Sequence, residues 1–130
     1  MIRRHIRPQG LPPTNGYSHV VIFNGLVVVS GQVPLDADGN LVGPDNAEVQ
    51  VRQVFDNLRA ALAAAHAGLD DVVKLTIFLT DLDDLEVVRR VRDEYFDTES
   101  PPASSLVRVA GLVNPAFRVE IEALAAARVA

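Results

Sequence analysis

The segment that decides the fold is Val20-Val21-Ile22-Phe23-Asn24-Gly25-Leu26-Val27-Val28-Val29. Two apolar runs flank Asn24-Gly25, a pair that accepts the positive φ angles of a type I′ turn. The segment therefore predicts a β-hairpin. Because both strands are apolar at successive positions, we expect both faces of the sheet around this hairpin to be buried.

Two amphipathic helices are predicted after the hairpin. Asp45 and Glu48 have the spacing of a capping box, and apolar residues then recur at helical spacing. Asp83 and Glu86 repeat the capping pattern before a second apolar stripe, which Pro101-Pro102 is expected to end. The two stripes are Val51, Val54, Phe55, Leu58, Leu62 and Ala65, and then Leu85, Val88, Val91, Tyr95 and Phe96.

Three more strands complete the pattern. The first is an alternating segment in which Val73, Leu75, Ile77 and Leu79 share one face. Residues 105–110 and 117–125 are typical of two further strands, separated by a turn region at 111–115. The predicted order is β-β-α-β-α-β-β, with room for an extra strand at the N-terminus.

Two helices can cover only one face of such a sheet. Since the hairpin predicts that both faces are buried, the missing cover is most simply another subunit. A closed homo-oligomer is therefore predicted. Junctions between subunits are natural places for small-molecule pockets.

The composition describes one aliphatic domain. The chain has 130 residues, close to the typical size of a single domain, so we expect one domain over residues 1–130. Hydrophobic residues make up 48% and charged residues 22% of the sequence, which argues against disorder. Tryptophan is absent and aromatic residues make up 5%, so Val, Leu and Ala must build the core.

Composition also excludes several classes of function. The absence of cysteine removes disulfide scaffolds, thiolate nucleophiles, cysteine-based zinc sites and iron–sulfur clusters. A net charge of −5 disfavours nucleic acid as a partner. The basic segment 1–8 has no apolar stretch after it, so it is not a secretory signal, and no apolar run is long enough to span a membrane. We expect a cytoplasmic, soluble protein without membrane contact.

Few residues outside the C-terminal strand offer chemistry. His5, His19 and His66 have no partner at metal-ligand spacing, so they are predicted to be surface or structural residues, and no metal is expected. Ser30-Gly31-Gln32 ends a hairpin strand, where a glycine lets the backbone approach a ligand closely, although most such glycines mark bulges or strand ends. Tyr17 can close a pocket, although an isolated tyrosine is more often a packing residue.

The C-terminal strand places two acids on one face. Arg118, Glu120 and Glu122 alternate with an apolar face of Phe117, Val119, Ile121, Ala123 and Ala125. Two interpretations are open at this point. Arg118 and neighbouring chains can neutralise the acids as an ion-pair rim, which the residues alone favour slightly. Alternatively, one carboxylate orients or deprotonates a water in an interface cleft.

The second helix carries a group of arginines. Arg89, Arg90 and Arg92 are predicted to form a solvated face of that helix. Glu86 and Arg90 have the favourable i,i+4 arrangement of an ion pair, which indicates a modest stabilising contact and no functional site.

Tyr17 and three longer segments together resemble the RidA (YjgF) family of small trimeric proteins. The resemblance covers nearly the whole chain. The segments are Val28-Val29-Ser30-Gly31-Gln32-Val33-Pro34, Val72-Val73-Lys74-Leu75-Thr76-Ile77-Phe78-Leu79-Thr80-Asp81-Leu82 and Val119-Glu120-Ile121-Glu122-Ala123-Leu124-Ala125.

The resemblance implies a chorismate-mutase-like α+β fold, with a mixed sheet and two helices on one face. It implies a homotrimer with a barrel-like centre and three clefts between subunits. The activity it implies is hydrolysis of reactive enamines and imines to 2-keto acids and ammonia. No cofactor and no metal are needed for that reaction.

The resemblance also assigns roles to residues in the cleft. Glu120 matches the acid that positions the attacking water, Tyr17 and Ser30 match residues that line the cleft, and the backbone around Gly31 would hold the substrate. The family's active deaminases carry an arginine that grips the substrate carboxylate with its bidentate fork. This sequence has Ser104 at that position.

The loss of this arginine removes on the order of 2–3 kcal/mol of substrate binding. Arg108 has the same strand parity as Ser104, but it lies about 13 Å further along a strand. Arg118 is a second candidate to replace the missing charge.

Two functions fit the sequence. The first is an imine or enamine deaminase, or a related hydrolase of a small reactive metabolite, and it is slightly favoured because most of the cleft pattern remains. The second is a non-catalytic trimer that binds a small metabolite or regulates another process. A nuclease fits poorly with the acidic charge balance and the lack of a catalytic histidine cluster.

Overall fold

Six strands form one mixed sheet in the computed structural model, which describes residues 1–128. In chain order they are β1 (Ile2–His5), β2 (Val20–Phe23), β3 (Leu26–Gln32), β4 (Val72–Leu79), β5 (Ala103–Arg108) and β6 (Val119–Ala126). Their order across the sheet is β1-β2-β3-β6-β4-β5, and only the β4–β5 pair is parallel. The helices are α1 (Ala47–Ala64) and α2 (Leu85–Tyr95). The predicted α+β class is confirmed, and β1 is the extra N-terminal strand.

The hairpin forms as the sequence predicts. Asn24 and Gly25 adopt φ angles of 49° and 81°, and the paired register runs from Val20 opposite Val29 to Phe23 opposite Leu26. β1 adds to the outer edge of this hairpin, and β6 pairs with its inner strand. The hairpin therefore holds the C-terminal strand that carries the two acids.

Both helix starts differ from the prediction. Asp45 is not the N-cap of α1, because it adopts a left-handed φ of 57° in the turn before the helix. Asn46 is the cap instead, and its side chain accepts a hydrogen bond from the Val49 amide. Before α2, a 3₁₀ turn (Leu82–Asp84) intervenes, and Asp81 caps that turn by accepting from the amide of Asp83. Asp83 therefore does not begin the helix.

The boundaries after α2 also differ. α2 ends at Tyr95, well before Pro101-Pro102, because a tight turn follows in which Asp97 accepts from the amides of residues 99 and 100. The two prolines lead directly into β5, which begins at Ala103, earlier than residue 105. β6 begins at Val119, later than residue 117.

A β-bulge interrupts β3 beside β6. The pairing of Val29 with Ala123 is followed by that of Gln32 with Ile121, so β3 holds one extra residue at Ser30 and Gly31. Both Val29 and Gln32 are buried as a result. A second shift lies between Val72 and Lys74 of β4, which explains why Val73 is exposed although alternation placed it on the buried face.

The two faces of the sheet have different surroundings. On the helix face, side chains of β2, β3, β4 and β6 pack with both helices in one buried cluster that includes Phe55, Leu58, Ile77 and Ile121. We call the opposite face the open face, because no helix of the described chain covers it. Val28 and Leu124 remain 38% and 37% exposed there. Neither helix of the described residues is long and apolar enough to cross a membrane.

Candidate functional site

The bulge in β3 brings the backbone of Gly31 against the side chain of Glu120. A Cβ built on Gly31 would lie 2.8 Å from Cδ and 3.0 Å from Cγ of Glu120, so a side chain here would force the Glu120 side chain to move. Gly31 does not have a positive φ, so its role here is to leave space for this position of the Glu120 carboxylate. The carboxylate occupies the volume that any other residue at position 31 would fill.

The carboxylate of Glu120 is held on the open face at the level of Phe78 of β4. Glu120 is partly buried, and this burial, together with the negative charge of Glu122, raises its pKa above the usual range. No cation contributes to this shift. A carboxylate with a raised pKa is a stronger base when ionised, which suits it to accept a proton from water.

Tyr17 lies near the same carboxylate. Partial burial and the charge of Glu120 raise the pKa of the Tyr17 phenol, so its hydroxyl stays protonated and can donate a hydrogen bond. The ring packs edge-on against His19, with centroids 5.8 Å apart at 79°. Tyr17 remains 46% exposed, so it can cover a ligand from the solvent side.

The hydroxyl of Ser30 has a fixed direction. It donates to the backbone oxygen of Ser18 at 2.6 Å, and the amide of Ser30 donates to the backbone oxygen of His19 at 2.9 Å. With its proton committed, Oγ can only accept further hydrogen bonds. Ser30 is therefore placed to receive an N–H group.

A buried pair supports the bulge from the helix face. His19 Nε2 donates to the carbonyl of Pro12 at 2.8 Å, which leaves Nδ1 to accept from Gln32 Nε2 at 3.1 Å. The same amide nitrogen donates to the carbonyl of Ser30 at 3.1 Å. His19 is thus structural, as predicted, but the sequence alone gave no sign that Gln32 fixes the backbone beside Gly31.

Within one chain, Ser104 does not lie near Glu120 and Gly31. β5 pairs with β4 so that Ser104 lies level with Leu75, which puts its side chain on the helix face of the edge strand. There it lines a pocket with Arg92 and Phe96 of the α2 region. Glu120 and Ser104 therefore belong to opposite faces of the sheet.

The two arginines considered as replacements are placed elsewhere. Arg118 donates from Nε and Nη2 to the two carboxylate oxygens of Asp84, at 2.9 and 3.0 Å. These hydrogen bonds raise the pKa of Arg118 and occupy the two donors with which its guanidinium could bind a carboxylate. Arg108 is exposed at the far end of β5, level with Leu79. Neither guanidinium is directed at Ser104.

The ion pairs of α2 also differ from expectation. Arg90 bonds Glu48 of α1 at 2.6 Å, so Glu86 is not its partner. Within residues 1–128, no three histidine or acidic side chains converge as metal ligands.

Fold and site together define a class: a small α+β protein with one exposed sheet face, on which a glutamate of raised pKa in the C-terminal strand lies against a bulge of the neighbouring strand. The family model described as endoribonuclease L-PSP matches residues 8–127. The chain therefore belongs to this family, which is the RidA (YjgF) family that the sequence resembles.

Individual relatives agree with this membership. A RutC family protein of Synechocystis, slr0709, is 38% identical over 118 residues, covering 90% of each chain. The putative regulator AldR of Lactococcus lactis is 42% identical over 105 residues, covering 80% of this chain and 81% of its own. The crystal structure of E. coli TdcF with bound serine has a TM-score of 0.85 at 32% identity, covering 95% of this chain and 98% of that one.

Proposed function

We propose that this protein hydrolyses imines or enamines of small metabolites to carbonyl compounds and ammonia. The observation that carries the proposal is the Glu120 carboxylate, held against Gly31 with a raised pKa and with Tyr17 nearby. Water activation needs such a base, and the side chains named here supply it without a metal or cofactor.

The reaction balances with these groups alone. Glu120 takes a proton from water as the oxygen adds to the carbon of the C=N bond, and it passes this proton to the imine nitrogen. Glu120 then takes the hydroxyl proton of the tetrahedral carbinolamine and delivers it to the amino group, which leaves as ammonia when the C–N bond breaks. The hydroxyl oxygen becomes the carbonyl oxygen, Glu120 is ionised again, and one water is consumed for each ammonia released.

Neighbouring groups can bind the reacting atoms. Ser30 Oγ can accept the N–H of the substrate, because its own proton is committed to Ser18. The Tyr17 hydroxyl can donate to the attacking oxygen or to Glu120. The break in pairing at the bulge leaves the Gly31 backbone outside the β3–β6 register, where it can contact the substrate.

The proposal includes a homotrimer with the site in clefts between subunits. Two observations support it: the apolar side chains of the open face, and the placement of Ser104 on the face opposite Glu120. An edge strand of one copy beside the bulge of another would bring Ser104 and Glu120 into one cleft. We also propose a cytoplasmic location.

A second candidate is a non-catalytic trimer that binds a small metabolite or has a regulatory role. It is favoured by Ser104, which gives no charge at the position where the family's deaminases have arginine. The name of the relative AldR, a putative regulator, points the same way. A nucleic-acid substrate is not proposed, because the open face presents Glu120 and Glu122 where a phosphate backbone would need cations.

Ammonia release tests the proposal. Imino acids generated in place by an amino-acid oxidase, and neutral imines, are offered to the wild type and to Glu120→Gln. We expect faster ammonia release with the wild type and none above background with the variant, which keeps its shape but cannot accept a proton. A wild type that accelerates neither class would contradict the proposal.

Ser104→Arg separates the two candidates. If ammonia release appears only in this variant, the natural protein has a binding or regulatory role. If the wild type is active and Ser104→Arg only shifts the preference from neutral imines to imino acids, the hydrolase assignment holds.

A further inference from the structure

His19 is a buried titratable side chain that the proposed reaction does not use. It is 2% exposed, and its two ring nitrogens have different roles. Nε2 lies 2.8 Å from the backbone oxygen of Pro12, which can only accept, so Nε2 carries a proton. Nδ1 lies 3.1 Å from Nε2 of Gln32, which can only donate. The two contacts together require a neutral imidazole with its proton on Nε2.

The Gln32 amide connects this imidazole to the bulge of β3. Its Nε2 donates to Nδ1 of His19 and also to the backbone oxygen of Ser30, at 3.1 Å in each case. The carbonyl of Ser30 and the amide of Gly31 belong to one peptide plane. Gln32 therefore fixes the direction in which the Gly31 N–H points, at the place where this backbone lies against Glu120.

The oxygen of the same amide shows which contacts determine its orientation. Gln32 is 1% exposed, and within residues 1–128 its Oε1 is the only buried side-chain nitrogen or oxygen without a hydrogen-bond partner. Such an unpaired atom is unfavourable and rare in folded proteins. The amide keeps this orientation because the opposite one would turn Oε1 toward two other acceptors, Nδ1 of His19 and the carbonyl of Ser30.

A proton on Nδ1 of His19 breaks this arrangement. Nδ1 is then a donor that faces the NH₂ group of Gln32, so the amide has to turn over before its oxygen can accept from the imidazolium. This rotation gives Oε1 a partner, but it takes the donor away from the Ser30 carbonyl and puts an oxygen in its place. The peptide plane between Ser30 and Gly31 then turns away from Gln32. The charge on His19 thus selects between two hydrogen-bond patterns.

The titratable groups around His19 come from its own segment, β1 and β6. The ring of Tyr17 packs edge-on against it, and Tyr17 lies near the negative charge of Glu120. From β1, His5 pairs with the residue after His19, and the Arg7 guanidinium donates to backbone oxygens of two loops. β3 and the buried side chains of α1 include no titratable group. His5 is therefore the competing group to control.

We propose that His19 is a positioning residue, whose neutral imidazole directs the Gly31 N–H toward a bound substrate and whose protonation turns that N–H away. Histidine side chains change charge between about pH 5 and 8, the range over which the two patterns are to be compared. The contacts that carry this proposal lie within one chain. The effect on rate rests on the proposed function, in which the Gly31 backbone contacts the substrate.

NMR titration tests the proposal without catalysis. The protein is titrated between about pH 5 and 8 as Glu120→Gln, so that the carboxylate beside Gly31 cannot contribute. We expect the amide resonance of Gly31 and the carbonyl resonance of Ser30 to move with the same midpoint as the ring protons of His19. Backbone resonances that stay fixed while His19 titrates would overturn the proposal, and so would an imidazole whose charge does not change in this range.

Gln32→Met tests whether the effect passes through the amide. Methionine has a similar volume but no donor, so His19 should still titrate while Gly31 stays fixed. His19→Gln keeps one donor and one acceptor but takes up no proton, and Gly31 should again stay fixed. His5→Gln and His66→Asn remove the other two imidazoles of the chain, and the Gly31 response should remain. A response that survives Gln32→Met, or that disappears in His5→Gln, would contradict the proposal.

The reaction rate gives a second readout. Below both titrations, kcat/KM of the wild type should fall by up to about a hundredfold per pH unit, because Glu120 and His19 each inactivate the site on gaining a proton. The fall in His19→Gln should be about tenfold per pH unit, because only Glu120 titrates there. Equal steepness in the two proteins would show that His19 does not act on the reaction.

The two proposals fail in different ways. If ammonia release is absent but the Gly31 resonance follows His19, the hydrolase fails and the positioning role stands. If ammonia is released and Gly31 does not respond to His19, the hydrolase stands and the positioning role fails.

Discussion

At residue 31 the absence of a side chain creates the space in which the Glu120 carboxylate lies. Residues other than glycine can adopt the backbone conformation of Gly31, since its φ is not positive. The steric requirement comes from Glu120, which reaches this position only because the bulge shifts the register by one residue. The residues thus depend on each other: a larger residue 31 would displace the base.

Gly31→Ala should therefore reduce activity without unfolding the protein. The new methyl group forces the flexible Glu120 side chain away, so we expect kcat to fall about tenfold or more, on the scale of a misplaced catalytic group. Stability should change by less than about 1 kcal/mol, because alanine also restricts the unfolded chain. Ammonia-release kinetics and thermal unfolding measure the two effects.

Gly111→Ala is the control for this substitution. A Cβ at Gly111 meets no atom within 4 Å, and its φ is not positive. Its activity should equal that of the wild type. Unchanged activity in Gly31→Ala would show that the contact with Glu120 is unimportant.

Glu122→Gln should change the pH dependence of the reaction. The base must be ionised, so the rate falls as pH drops through the pKa of Glu120. The charge of Glu122 holds that pKa up, and its removal lowers the pKa, so the acid limb of kcat/KM should move to lower pH. Glu86→Gln, on an exposed site of α2, should leave the profile in place. An acid limb that moves upward or stays fixed in Glu122→Gln would contradict this origin of the shift.

At the scale of elements, an ion pair joins Arg118, the residue before β6, to the turn before α2. Asp84 is buried, and its two carboxylate oxygens accept from Arg118. Because this carboxylate is committed, it does not cap α2, and the chain instead enters the helix through a 3₁₀ turn capped by Asp81. Local sequence predicted a capping box of Asp83 and Glu86 here, because it could not show that Asp81 caps a 3₁₀ turn or that Asp84 binds the distant Arg118.

Asp84→Asn should destabilise the fold by about 1–2 kcal/mol. The amide can accept only one of the two hydrogen bonds, and the nearest negative charge to the half-buried guanidinium is lost, which leaves Asp81 at 3.9 Å. Denaturant unfolding measures the loss. Asp83→Asn in the same turn is the control, since the Asp83 carboxylate is exposed, and it should shift stability by less than about 0.5 kcal/mol. Equal stability of the two variants would show that the ion pair contributes nothing net.

At the scale of the whole molecule, the open face of the sheet is the surface that the proposed assembly would cover. Val28 and Leu124 are paired neighbours in the centre of this face and are both about a third exposed. An apolar sheet face of this kind is normally covered in a stable protein. A second and third copy are the cover proposed here.

Leu124→Glu should therefore dissociate the assembly. It places a charge among apolar side chains, so we expect the wild type to sediment as three chains and the variant as one. Val113→Glu introduces the same charge at a site that is 89% exposed in a loop, and it should remain trimeric. A monomeric wild type, or a trimeric Leu124→Glu, would contradict the proposed assembly.

The sequence by itself determined the hairpin, both helices, the buried stripe of each and the two-faced C-terminal strand. Each of these depends on local propensity and on a repeat of two or 3.6 residues, which neighbouring residues encode directly. Its errors fall at the boundaries of helices and strands, at Val73 and at the partner of Arg90, where bulges and distant partners override the local pattern. Tyr17, Ser30, Gly31 and Glu120 were singled out along the chain, but their roles came from the family resemblance, and no period in the sequence places them together.

Only the tertiary structure decided the contact of Gly31 with Glu120, the bond of Arg118 to Asp84 and the separation of Ser104 from the acid. Each results from strand register or helix docking between segments far apart in the chain. A shift of one residue moves a side chain to the other face of a sheet. The same physics places Arg92 beside Ser104, where sequence periodicity indicated only one more solvated arginine.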